Sequence, residues 1–94
     1  MVDGIEPGAT SFEEKHLIAV MMYLALNGAC RKIDIYRNVS SNPRIPEKLD
    51  RLEALGLITQ VSDKNLRSIV INLTPKGKIV AQKIVDLDVA IKSD

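Results

Sequence analysis

The sequence predicts a mainly α fold with a small β-hairpin (α+β), its elements running helix-helix-helix-strand-strand-helix. Three observations predict it. Up to Gly56 the apolar residues either fill every face of a helix or recur at helical spacing. Beyond Gly56 the pattern changes to two runs rich in β-branched residues, 57–61 and 68–73, with a polar segment between them. Thr74-Pro75 then restarts a helix, with Thr as N-cap and Pro at the first helical position, where an N–H would have no helical partner anyway.

Residues 1–10 mix acids with Gly and Pro and read as a flexible leader, and residues 11–94 as a single domain. The first helix opens at Ser11-Phe12-Glu13-Glu14, where a Ser N-cap and a Glu three residues on can satisfy neighbouring backbone donors. It closes at Asn27-Gly28, because Gly adopts the left-handed C-terminal position at little cost. Between these signals Leu17 to Leu26 is apolar on all sides, so this helix is central or faces a partner chain. A short extended segment, 29–32, leads to a second helix in which Ile33 and Tyr36, then Ile35 and Val39, recur at helical spacing. Ser40-Ser41-Asn42-Pro43 breaks it and offers capping side chains to a third. There Ile45, Leu49, Leu52 and Leu55 make one apolar face, Gly56 closes it, and Pro43 and Pro46 fall in its opening turn. In the second strand Ile69, Ile71 and Leu73 alternate to one side, and the polar stretch 62–67 returns the chain as an antiparallel hairpin. The last helix spans about 75–92.

Composition narrows the function. The chain has room for one core and no second domain. Cys30 is the single cysteine, so it closes no intramolecular disulfide and reads as a small buried apolar residue. His16 is the single histidine, and with Cys30 and the carboxylates it shows no ligand spacing; no metal and no other cofactor is expected. The longest apolar run is half a membrane span and the acidic start lacks a secretory pattern, so the expected location is the cytoplasm, with no membrane contact. There is no Gly-rich phosphate loop, nucleophile motif or paired-acid signature, and Gly77 stands alone, so no catalysis is expected.

The net charge of +1 conceals an uneven distribution. Residues 30–78 carry ten Lys and Arg against five acids, while both flanking segments are net acidic. Such asymmetry suits a polyanion held on one face. With aromatic residues at 3%, there is little to stack on unpaired bases, which points to duplex rather than single-stranded partners.

The stretch Ile45-Pro46-Glu47-Lys48-Leu49-Asp50-Arg51-Leu52-Glu53-Ala54-Leu55-Gly56-Leu57-Ile58, followed by Leu73-Thr74-Pro75-Lys76-Gly77, resembles the winged-helix (winged helix-turn-helix) DNA-binding family. The likeness is to MarR-like and ArsR-like small prokaryotic or archaeal transcription regulators and spans about residues 12–85. It implies a third helix set in the major groove with the hairpin loop beside the adjacent backbone. Ser41, Asn42, Arg44 and Lys48 would then lie near bases, and Arg37, Arg51, Lys64, Asn65 and Arg67 nearer phosphates. Independently, Arg44, Lys48 and Arg51 at i, i+4, i+7 share one helix face, away from Ile45, Leu49 and Leu52. Against this, a basic stripe interrupted by Glu47 and Asp50 is also what a solvated helix face looks like, and cations are ordinary on any hairpin. Pro46 stands where the family often has a small polar residue, and so removes one phosphate-binding hydroxyl.

In the last helix Val80, Ile84, Leu87 and Ile91 repeat at intervals of 4, 3 and 4, a seam suited to pairing helices or to packing on the domain's own core. Together with Leu17, Val20, Met21 and Leu24 of the first helix it forms the expected interface of a twofold homodimer. The reading is therefore a sequence-specific regulator that binds double-stranded DNA as a homodimer, its effector unspecified. The alternative is a winged-helix protein-protein interaction module without DNA binding, favoured by Glu47 and Asp50.

Overall fold

The computed structural model describes residues 16–93, Leu66 excepted; the expected leader and the Ser11–Glu14 capping box lie outside the described residues. The first helix, α1 (Leu17–Asn27), buries Leu17, Val20, Met21 and Leu24, which share a face at helical spacing. His16, directly before it, has φ 75. A right-handed helix cannot pass through a left-handed residue, so among the described residues α1 begins at Leu17; His is among the side chains that enter this region more readily. At the other end Gly28, with φ 77, donates its N–H to the Leu24 carbonyl at 2.8 Å, as the Asn27-Gly28 signal predicts.

A two-residue strand, β1 (Cys30–Arg31), runs into α2 (Lys32–Asn38). Asp34 starts α2 by accepting the Arg31 backbone N–H at 3.0 Å and its guanidinium at 3.3 Å. Those hydrogen bonds hold the Asp34 carboxyl below the usual carboxylate range. The next helix, α3 (Ile45–Ala54), begins later than the capping residues suggest. Ser40 Oγ accepts the Asn42 N–H at 3.1 Å and Asn42 Oδ1 accepts the Arg44 N–H at 2.8 Å, so both side chains close the preceding turn and neither caps the helix. Pro46 falls in the opening turn of α3, whereas Pro43 belongs to the turn ahead of it. The far end is a Schellman closure: Leu57 N–H reaches the Leu52 carbonyl at 3.0 Å, Gly56 N–H reaches Glu53 at 2.9 Å, and Gly56 has φ 78.

Strands β2 (Ile58–Asp63) and β3 (Ser68–Leu73) pair antiparallel, with Ile58 opposite Leu73 and Asp63 opposite Ser68. β2 continues two residues past the expected Val61, leaving a loop of 64–67. β1 adds to the other edge of β3, Cys30 opposite Ile71 and Arg31 opposite Val70, giving a three-stranded sheet ordered β1-β3-β2. The extended segment at 29–32 thus supplies a strand that two residues of sequence carry too little periodicity to pair.

The final helix, α4 (Pro75–Lys92), starts on the cap that Thr74-Pro75 predicts, with Thr74 Oγ1 accepting the Gly77 N–H at 2.9 Å. The same hydroxyl donates to the Gly56 carbonyl at 2.6 Å, Thr74 N–H donates to Leu57 at 3.0 Å, and Lys76 Nζ donates to Leu55 at 3.2 Å. A Cβ on Gly77 would overlap the Leu57 carbonyl, so only glycine lets the first turn of α4 lie on the chain leaving α3. From there α4 packs along α1. The core gathers α1, Ile35 of α2, Ile45, Leu49 and Leu52 of α3, and Ile58 and Ile71 of the sheet. Each such aliphatic contributes about 1.5–3 kcal/mol by burial. Among the described residues no helix is long and apolar enough to cross a membrane.

Candidate nucleic-acid interface

The apolar face of α3 fixes which of its side chains look outward. Ile45, Leu49 and Leu52 are fully buried, and Arg44, Lys48 and Arg51 share a flank of the helix about a quarter-turn round from them, with Glu47 and Asp50 on the side facing away from the core. Arg44 and Arg51 are exposed, while Lys48 is half-buried; Lys48 and Arg51 each also engage another group within the protein. In the turn ahead of α3, Ser41 is exposed and Asn42 half-buried. The Asn42 carbonyl oxygen is engaged by Arg44 N–H, which leaves its amide NH2 as the donating end. Arg37 is exposed near the end of α2.

The acids of α3 divide into two kinds. Glu47 is exposed. Asp50 and Glu53 instead turn to β2: Gln60 Nε2 donates to Asp50 Oδ1 at 2.9 Å and to Glu53 Oε1 at 3.4 Å, and Gln60 N–H donates to Glu53 Oε2 at 3.1 Å. Sequence reasoning missed Gln60, because nothing in the period of β2 marks a residue that reaches back across to a helix.

At the hairpin tip Lys64, Asn65 and Arg67 are all exposed. Asp63 Oδ1 accepts the Asn65 N–H at 2.9 Å and shapes the turn. Arg67 closes the loop with φ 48, a left-handed residue that is not glycine. Such a conformation costs roughly 1–2 kcal/mol and fixes the direction from which this guanidinium leaves the strand. Beside the tip lies an open groove of about 500 Å³ between the start of α2 and the hairpin, lined by Lys32, Tyr36, Lys64, Arg67 and Ile69 among others. Lys32 was not among the expected contacts, since on the sequence it falls in the segment between helices.

Cys30 is half-buried on β1 with its thiol pushed up to about 11, by burial first and then by the Asp34 charge. Among the described residues no three His, Cys, Asp or Glu side chains gather in a way that could hold a metal ion.

The residues expected at a dimer interface separate. Leu17, Val20, Met21 and Leu24 are 0–1% exposed in a single chain, so they belong to its own core and offer nothing for a partner to cover. What α1 leaves open is Ile18 and Leu26. On α4, Val80 and Ile84 pack partly against the core, whereas Leu87 and Ile91 are 58% and 73% exposed, flanked by exposed Ile79 and Val89. The apolar surface therefore lies mainly on the outer part of α4.

No protein-family model matches the chain, and no curated protein matches it. Solved structures do. Disulfide-formed AbfR is similar with a TM-score of 0.69 at 22% identity, over 90% of this chain and 60% of that one, so this chain spans under two thirds of its length. A transcriptional regulator homologue from Pyrococcus horikoshii OT3 gives a TM-score of 0.67 at 16% identity, over 88% of this chain and 92% of that one. A probable transcriptional regulator from Pseudomonas aeruginosa gives 0.60 at 22% identity, over 97% and 69%. The four helices and three-stranded antiparallel sheet are a winged-helix fold of the kind these regulators have.

Proposed function

We propose that this winged-helix chain is a transcriptional regulator that binds duplex DNA sequence-specifically as a cytoplasmic homodimer. The observation that carries the reading is the asymmetry of α3. Its buried face is fixed by Ile45, Leu49 and Leu52, one flank carries Arg44, Lys48 and Arg51, and two of its three acids are drawn off toward Gln60. A helix so arranged suits the major groove, where Arg can grip guanine through two hydrogen bonds and Asn can pair with adenine. In this reading Ser41, Asn42, Arg44 and Lys48 meet bases, and Arg37, Arg51, Lys64, Asn65 and Arg67 meet phosphates. The likeness to transcriptional regulators supports the regulator reading. The second copy would cover Leu87 and Ile91 with their exposed neighbours, and the partly buried Val80 and Ile84 would stand behind them.

The test is selection of bound sites from a random duplex pool, followed by a salt titration of binding to the selected site and to random duplex. The expected outcome is a recoverable, twofold-symmetric site, with affinity falling steeply as salt rises. Absence of duplex binding at low salt would overturn the reading and leave the exposed Glu47 side of α3 as a surface for a protein partner.

A further inference from the structure

One side chain of α3 has no part in the contacts assigned above. Successive residues of an α-helix turn by about 100°, so Glu47 points about 160° away from both Ile45 and Leu49, the buried residues two positions to either side. It heads the side of α3 that looks away from the core, between two flanks of different chemistry. Arg44, Lys48 and Arg51 stand on one flank, and on the other Asp50 and Glu53 reach Gln60 of β2. Glu47 itself is exposed, and among the described residues it makes no hydrogen bond or ion pair.

A carboxylate at that place constrains what the groove can hold. Ionised, it accepts hydrogen bonds and donates none, and every phosphate repels it. The floor of the major groove offers it two donors, the N4 amine of cytosine and the N6 amine of adenine. The adenine amine lies beside N7, an acceptor that the second carboxylate oxygen would meet as like against like. Cytosine presents its amine with no acceptor of its own. Arg44 stands three residues before Glu47, about 4.5 Å along the helix against about 3.4 Å per base step, so the two side chains reach the same or neighbouring base pairs.

We infer that Glu47 is a specificity-determining residue, reading the exocyclic amine of a cytosine in the same base pair as the Arg44 contact or in a neighbouring one. The inference rests on the duplex-binding reading and names a base in the site. The carboxylate discriminates by repulsion as much as by attraction. A thymine at that position turns its O4 acceptor toward Glu47, and random duplex offers phosphates with no amine in compensation.

The experiment selects bound sites from a random duplex pool with the full chain, Glu47→Ala and Glu47→Gln. Affinities are then measured on the wild-type site, on that site with its C·G pair changed to T·A, and on random duplex, with the thermal midpoint as a check on folding. Wild type should select one cytosine per half-site that Glu47→Ala no longer selects. Glu47→Ala should bind the selected site about tenfold more weakly and random duplex more tightly, because losing the amine contact and losing an anion act in opposite directions. The change to T·A should weaken wild type by about tenfold and leave Glu47→Ala unaffected. Glu47→Gln should move the preference toward adenine, whose N6 and N7 suit an amide. A Glu47→Ala that binds both duplexes more tightly and selects the wild-type site overturns the inference and leaves the functional reading standing. A Glu47→Ala that weakens both alike overturns it too, since the carboxylate would then serve the fold. If wild type binds no duplex even at low salt, the reading fails and the inference with it.

Discussion

Arg44 stands at the entrance of α3 with its side chain exposed and its backbone tied to Asn42. If it reads a guanine edge, Arg44→Ala should cost about 1–3 kcal/mol on the selected site and relax choice at one position per half-site. Fluorescence anisotropy on selected and random duplex separates this from a phosphate contact, because equal losses on both would remove the base-reading role. Arg67 gives a different signature, since its left-handed backbone and its charge can be varied separately. Arg67→Gly should raise the thermal stability over Arg67→Ala by roughly 1–2 kcal/mol, while both lower the salt slope alike. Cys30 carries a pH dependence. Its thiol rises from 9.0 to about 11 in the folded chain, so the stability it contributes is complete below pH 9 and is lost as pH climbs through 11. The urea midpoint of wild type should therefore fall more between pH 9 and 11 than that of Cys30→Ala. At this scale the shared flank of Arg44, Lys48 and Arg51 on α3 was legible in the sequence, because spacing alone sets it. The orientation of Asp50 and Glu53 was not, since it depends on Gln60, up to ten positions away and on a different kind of element. Lys32 was illegible for the same reason: only the register of β1 against β3 carries it to the hairpin.

The elements were read well where a period ran long enough and less well where it did not. The apolar face of α3, the alternation in β3 and the Thr74-Pro75 start of α4 each announce themselves, because burial on one side imposes the period directly. The errors lie at junctions. Within the described residues α1 begins at Leu17, directly after the left-handed His16, while the Ser11 capping pattern lies outside them. Ser40 and Asn42 have the chemistry of helix caps and close a turn instead. The sequence places Gly77 in the exit from the hairpin into the last helix without its reason, which is the backbone of Leu57, twenty residues earlier in the chain. Replacing it tests that contact. Gly77→Ala should destabilise the chain by at least about 3 kcal/mol, although Ala is the better helix former by about 1 kcal/mol. A midpoint of denaturation equal to or above wild type would show that α4 does not need this close approach.

For the molecule as a whole the outer part of α4 matters most, since it leaves Leu87, Val89 and Ile91 exposed. Sequence spacing put Val80, Ile84, Leu87 and Ile91 on one side of α4 but could not divide α1 between core and surface, since a helix apolar on every side gives no direction. In the proposed dimer Leu87→Glu places an unpaired carboxylate in the interface, at a cost of several kcal/mol. Wild type should sediment as a dimer at tens of micromolar and Leu87→Glu as a monomer with its fold intact by circular dichroism. A monomeric wild type would sink the dimer. The junction at Gly77 then acquires a mechanical meaning. α4 has 18 residues, about 27 Å of rod, and it is clamped at one end by the Leu57 backbone, the Thr74 hydroxyl and the Lys76 ammonium. With that joint held rigid, the proposed dimer would make α3 the short arm of a lever whose long arm is α4. A tilt of about 10° where two long arms meet would carry each reading helix by several ångströms, set against the roughly 34 Å that separates successive major grooves on one side of a duplex.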